Sequence, residues 1–466
     1  MKRIAAVITA LIISIPFMNC FKTEAFNFPI SSTIYSESAI LINLDSETVV
    51  TEKNADKTQM PGALVNIMTA IVCLESTNKL SEEITVDSSV YADLINSQYP
   101  EDLIYADIYD GDVLTVNDLL YAMMLTSSVE ASQTLAYHFG GESVSAFVDK
   151  MNAKANELGC QNTNFTNPTG LYDTNQYTTA RDLAIMTQYA LKTSVFEDIS
   201  STWSYNPSVP NFQNHPEHSA WIWTHSNLMM DEDDVEYYYK GTRGIKTGNL
   251  SAVGRNLVTV ASRDGNTYLA ILLKAPLTDA NGENKFYHIE DAKTLFNWAF
   301  THFSYKDLIS ASEEIAEVSV SLAEGSDYVL LKPESEYNAL WYDGVDTSLI
   351  KRDIEYQTDI QAPVSKGEKL GVVHLKYSGE EIASIDLVAV SDVKRSVSKY
   401  NIYAAKRFRD SEWFSKAFII SGILCSIYIL LCIYSFICYK NNTKPVRPIY
   451  AVPKINNKKH KKKKRD

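Results

Sequence analysis

Gly244-Ile245-Lys246-Thr247-Gly248 opens the stretch in which the hydrophobic pattern of this 466-residue chain changes period. Residues 254–262 and 267–273 follow as strand-like runs joined by Arg263-Asp264-Gly265-Asn266. An Asp-Gly pair between two such runs marks a hairpin. Upstream the spacing is helical: Leu64, Ile67, Met68, Ile71 and Leu74 recur on one face. Thr115 stands three residues ahead of Asp118, the arrangement of a capping box, and opens a helix through Leu119, Leu120, Ala122 and Met123. Further helices fit residues 144–158, 180–191 and 289–300, and residues 37–51 read as two short strands around Asp45-Ser46. Strands, a block of helices and strands again predict an α+β domain with a largely antiparallel sheet.

After residue 303 the pattern turns to short strands near 317–322, 328–331, 354–360, 369–377 and 381–390, a small β domain at 304–398. Residues 399–416 form a juxtamembrane stalk rich in basic and aromatic side chains. Residues 417–439 are 23 positions without a charge, enough for a membrane-spanning helix. Residues 440–466 carry 11 Lys/Arg against one Asp, so this tail is expected in the cytoplasm and everything before residue 417 outside. At the other end, Lys2 and Arg3 precede a 13-residue apolar run at 5–17, and Thr23-Glu24-Ala25 offers a cleavage site: residues 1–25 read as a signal peptide. The expected address is the cell membrane, crossed once.

The chain has a net charge of −14, and removing the basic tail leaves −24 for residues 1–439. So acidic an ectodomain excludes nucleic acid as its partner. Of six cysteines only Cys73 and Cys160 lie outside the signal and membrane segments, both within helical patterns that suit buried thiols. Roughly 390 residues of ectodomain exceed one ordinary core, which predicts two domains.

Three residues such as Lys246-Thr247-Gly248 carry little alone. Together with Asn164-Phe165-Thr166-Asn167-Pro168-Thr169-Gly170-Leu171 and Tyr177-Thr178-Thr179-Ala180-Arg181-Asp182-Leu183-Ala184, the chain resembles the penicillin-binding D-alanyl-D-alanine carboxypeptidases, serine peptidases of bacterial walls. The resemblance covers nearly the whole ectodomain. It implies a DD-peptidase/β-lactamase-like domain at 26–303, an antiparallel sheet with helices on both sides, followed by the family's C-terminal β domain.

Such enzymes need S-x-x-K, S-x-N and K-T-G. The first Ser attacks from a helix N-terminus, and the Lys one turn on takes its proton. The second Ser and the Asn position the proton path and the substrate amide; the K-T-G strand pairs with substrate backbone. Where the family writes Ser-Leu-Thr-Lys, this chain has Ala63-Leu64-Val65-Asn66. Ala63 offers no nucleophile, and Asn66 cannot serve as a base near pH 7. Ser127-Ser128-Val129 keeps the second Ser and puts Val129 at the Asn position, while Lys246, Thr247 and Gly248 survive whole. The basic residues before the last helix of the domain, often Arg in the family, are Lys285 and His288.

No other nucleophile is apparent. Ser76–Lys79, Ser391–Lys394 and Ser396–Lys399 match S-x-x-K by chance, and Thr69 falls on a different helical face. His215, His218 and His225 flank Pro216 without a Glu-flanked ligand pair and read as loop residues, so no metal or other cofactor is expected. The sequence therefore predicts a pseudoenzyme that binds peptidoglycan stem peptides or a cell-wall protein partner, with Ser127, Lys246, Thr247 and Gly248 as candidate binding residues. Two alternatives stay open: residual or unconventional carboxypeptidase activity, and a structural or assembly protein working through its β domain. Oligomeric state is not legible.

Overall fold

The computed structural model describes Phe28, Ile30 and residues 32–95, 97–207 and 222–442. The signal segment 1–25, His215, His218 and the tail beyond residue 442 fall outside the described residues. The chain divides into two compact units. The first holds the chain to Ser310 with Glu336–Lys351 and Lys376–Ile382, and the second holds Ala311–Ser335, Arg352–Leu375 and the chain from Ala383 on.

The first unit is built on an antiparallel five-stranded sheet. Its strands are β1 (Ser38–Asn43), β2 (Thr48–Lys53), β3 (Thr242–Leu250), β4 (Gly254–Arg263) and β5 (Asn266–Ala275), in the order β2-β1-β5-β4-β3. Asp264 and Gly265, both at positive φ, make the β4–β5 turn that the Asp-Gly pair predicts. Between β2 and β3 the chain forms α1 (Asn66–Ser76), α2 (Val116–Tyr121), α3 (Val129–Phe139), α4 (Val144–Glu157), α5 (Ala180–Ala190) and α6 (Ser194–Ser201). The expected capping box is present: Thr115 Oγ1 accepts from the Asp118 N–H, and Asp118 accepts from the Thr115 N–H at 3.0 Å.

Period-two alternation sorts the sheet's side chains onto two covered faces. Ile40, Ile42, Val258, Val260, Leu269 and Ile271 join one core with Met68, Phe147 and Met186 from the helices. Leu41, Leu257, Ala270 and Leu272 alternate with them and are equally buried. The second face is closed by α7 (Tyr287–His302), where Tyr268 meets the Phe300 ring edge-on at 4.9 Å. Each large aliphatic side chain buried this way contributes about 1.5–3 kcal/mol. The first unit also holds a two-stranded ribbon of β6 (Phe303–Ile309) and β9 (Tyr337–Tyr342), which the sequence pattern misses because both are rich in polar and aromatic residues. Phe28 packs edge-on against Phe303 and Trp341 there, at 5.4 and 5.6 Å.

The second unit carries β7 (Ala316–Ser319), β8 (Tyr328–Pro333), β10 (Lys351–Tyr356), β11 (Lys369–Tyr377) and β12 (Glu380–Ala389), ordered β7-β8-β12-β11-β10. Residues 399–416, expected as a stalk, divide between a helix α8 (Val397–Arg409) and the start of the next one, and Ser396 is the N-cap of α8, accepting from the Lys399 N–H. That settles one chance S-x-x-K string as a capping device. A long helix, α9 (Glu412–Asn442), contains the apolar span read from the sequence and begins five residues ahead of it; it is long and apolar enough to cross a membrane.

The entry of the chain into β1 depends on one buried carboxylate. Asp291 of α7 accepts from the Tyr35 N–H, the Ser36 N–H and Ser36 Oγ at 2.8, 2.7 and 2.6 Å. Asp291→Ala leaves those donors buried without an acceptor, and chemical denaturation should show a loss of about 3 kcal/mol.

Candidate functional site

The family's nucleophile position lies in a tight turn. Gly62–Val65 forms one 3-10 turn ahead of α1, with Gly62 at φ +57°. The turn is clamped between two residues without Cβ atoms. A Cβ on Gly170 would sit 2.1 Å from the Gly62 carbonyl oxygen, and one on Gly248 would sit 2.8 Å from the Pro61 oxygen and 3.1 Å from the Ala63 nitrogen. Asn256 of β4 fixes the same turn, its Nδ2 donating to the Met60 and Pro61 carbonyls at 3.0 Å each. Ala63 itself is half-buried.

Asn66, one turn on, is fully buried. Its Nδ2 donates to Ser132 Oγ at 3.1 Å and to the Pro168 carbonyl at 3.0 Å. Ser132 Oγ in turn donates to the Ser128 carbonyl at 2.8 Å. Thr69 Oγ1 donates to the same Pro168 carbonyl at 3.0 Å, so its hydroxyl is committed to the backbone. Asn66 thus ties α1 to α3 and to the loop before Gly170.

The second motif sits at a break between helices. Ala122–Thr126 winds as a π-turn, Ser127 takes the left-handed conformation at φ +69°, and Ser128 caps α3 by accepting from the Ala131 N–H. Val129 is buried, and its N–H donates to the Ile104 carbonyl at 3.0 Å. Beside it Glu130 is also buried; one carboxylate oxygen accepts from the Ala106 N–H at 2.5 Å, and burial pushes its pKa up to about 6.

Lys246 joins the third motif to the second. Its ammonium lies fully buried at the edge strand β3, donating to Ser127 Oγ at 2.5 Å and to the Met124 carbonyl at 3.0 Å. Burial lowers its pKa to about 7. Thr247 Oγ1 pairs with Ser226 Oγ at 2.6 Å. His225 lies in a loop and is buried there; its Nδ1 accepts from the Asn227 N–H at 2.9 Å. Burial first, and the nearby Lys246 second, depress its pKa to about 3, so it is neutral. The structure therefore brings Ser127 onto Lys246 and Gly248 onto the Ala63 turn.

Of the two basic residues expected before the last helix of the domain, His288 lies in the first turn of α7, buried and neutral, its pKa lowered to about 3 by burial. The cation missed from the sequence is Arg255, at the start of β4. Its guanidinium lies 4.5 Å over the Phe286 ring and donates to the Leu277 and Lys285 carbonyls at 3.0 and 2.7 Å. No short motif flags Arg255 or Asn256, because strand pairing alone places them. The cleft lined by Pro61, Gly62, Gly170, Tyr172 and Leu250 has no volume open to a water molecule.

The sequence profile of the D-alanyl-D-alanine carboxypeptidase family matches residues 24–276. The chain belongs to that family. The profile of the penicillin-binding protein 5 C-terminal domain matches residues 303–395. D-alanyl-D-alanine carboxypeptidase DacF of Bacillus subtilis is 28% identical over 366 residues, 78% of this chain and 86% of the relative. DacA of Haemophilus influenzae is 27% identical over 77% of this chain and 86% of its own length. Among solved structures, penicillin binding protein 5 from Haemophilus influenzae shares the fold at a TM-score of 0.55, with 24% identity, over 79% of this chain and all of that one. The Streptomyces K15 DD-transpeptidase aligns at 0.50 with 26% identity, over 59% of this chain and all of its own. Within this carboxypeptidase-family fold, Asn66, Ser127 and Lys246 are buried and bonded to neighbouring protein groups.

Lys246 makes stability depend on pH. Its folded pKa, about 7, lies below the ordinary 10.5, so the unfolded chain binds more protons between those values and stability climbs as pH rises through that window. Comparing denaturation of wild type and Lys246→Met at pH 7 and pH 9.5 should show a rise on the order of 3 kcal/mol in wild type that the variant lacks.

Proposed function

We propose that this chain is a non-cleaving member of the carboxypeptidase family. It is exported, tethered by α9 with its basic tail in the cytoplasm, and recognises peptidoglycan stem peptides ending in D-Ala-D-Ala at the β3 edge. One observation carries the proposal: Ala63 and Asn66 occupy the nucleophile and base positions, and Asn66 is hydrogen-bonded into the scaffold through Ser132 and Pro168. Losing the nucleophile of a serine peptidase costs on the order of 10⁶ in turnover, and losing its partners as well adds little. Peptide recognition draws on what remains. β3 is an edge strand, and Lys246 has two of its three N–H donors engaged. A wall peptide is the natural occupant of an ectodomain held at the outer membrane surface.

Full-length protein in detergent should take up no fluorescent penicillin, because acylation requires a nucleophile. The triple substitution Ala63→Ser, Asn66→Lys, Val129→Asn should restore labelling detected on a gel. Covalent labelling of the wild type would overturn the proposal. Binding of a D-Ala-D-Ala-ended fluorescent peptide should weaken about tenfold or more in Lys246→Met, as expected when a charge-assisted hydrogen bond is lost. Equal affinity would remove Lys246 from recognition.

A further inference from the structure

Residues 97–104 contact three segments that flank the candidate site. At one end the Ile104 carbonyl accepts from the Val129 N–H at 3.0 Å, two residues after Ser127. In the middle, Tyr99 meets Tyr172 edge-on at 4.9 Å, next to the Gly170 loop that covers the Ala63 turn. At the far side, Asp102 Oδ1 accepts from the Ser251 N–H at 2.9 Å, and Ser251 Oγ donates to Glu101 Oε1 at 3.1 Å and to Asp102 Oδ2 at 3.3 Å. Ser251 is the first residue after β3, three positions beyond Gly248. A segment from the second-motif side is thus fastened to the end of the strand that carries Lys246, Thr247 and Gly248.

The fastening is held by polar and ring contacts over a segment with little buried mass. Of the described residues from 95 to 105, none is buried. The flanks are firm by contrast, with Leu94 buried on one side and Ala106 on the other, where Ala106 is bonded to Glu130. A segment with few buried apolar contacts between two firm anchors opens locally at low cost. Gly244 to Gly248 are all buried although β3 is the edge of its sheet.

We propose that residues 97–104 form a displaceable strap across the entrance to the β3 edge, and that an extended peptide reaches this edge only when the strap lets go. The peptide half rests on the function proposed above. Such a chain binds ligand with an affinity reduced by the fraction of molecules whose strap is open.

Two measurements on full-length protein in detergent test this. By hydrogen exchange, amides of residues 97–104 and Ser251 should exchange at least about 100-fold faster than those of β4 and β5, and Asp102→Ala should speed them further. Exchange as slow as in β4 and β5 would overturn the strap whatever the ligand. By fluorescence anisotropy with a D-Ala-D-Ala-ended peptide, Asp102→Ala should bind about three- to tenfold more tightly than wild type. The pair Asp102→Cys, Ser251→Cys should bind about tenfold or more weakly when oxidised and recover on reduction. Equal binding by the oxidised and reduced pair would overturn strap control of the edge. Failure of every form to bind, the reduced pair and Asp102→Ala included, would sink the peptide reading and leave hydrogen exchange to decide the strap.

Discussion

A cation with no exposed surface sets the geometry of this site. The Lys246 ammonium can lie inside the protein only because Ser127 Oγ and the Met124 carbonyl meet it. To present them, the helix before Ser127 must unwind through a π-turn and Ser127 must adopt a left-handed backbone. β3 must also stay at the sheet edge, close to that break. β3 pairs with β4, Ser128 caps α3 just beyond the break, and Lys246 adds to the burial that depresses the pKa of His225.

The residues that depart from the family's catalytic motifs are not vacancies. Asn66, at the position where the sequence leads one to expect the base, bridges α3 and the Pro168 loop with its amide. A lysine there would find the same two acceptors, Ser132 Oγ and the Pro168 carbonyl, that Asn66 uses. Val129, where an Asn is expected from the family motif, is buried, and its N–H donates to the Ile104 carbonyl. The turn at Ala63 is kept in place by Gly170, Gly248 and Asn256.

Much of this was legible in the sequence where local physics decides. The β4–β5 hairpin follows from its Asp-Gly turn, the start of α2 from Thr115 and Asp118, and the membrane-competent helix from an uncharged run. What escaped depends on contacts distant in sequence. The ribbon of β6 and β9 is stabilised by rings from separate segments, including Phe28, and shows no clear alternation of its own. Arg255 and Asn256 acquire their partners only through strand pairing. His225 lies in a loop, as read, and nothing local to its sequence shows that it is buried near Lys246. The bonding of Asp102 to Ser251 joins residues 149 positions apart, beyond any local pattern.

The place of β1 in the sheet has a consequence for how the first unit comes into being. β1 pairs with β5, so Ser38 lies opposite Leu273 and Asn43 opposite Tyr268. The first strand made must wait for the last strand of the sheet before its second edge is covered. Closing so long a loop is slow, and during the wait β1 and β2 present an apolar ribbon with unpaired backbone. Completion of the sheet is therefore a late event in the life of the chain, after the whole helical block has been synthesised. A truncation ending before β5 would leave that ribbon exposed and prone to aggregation.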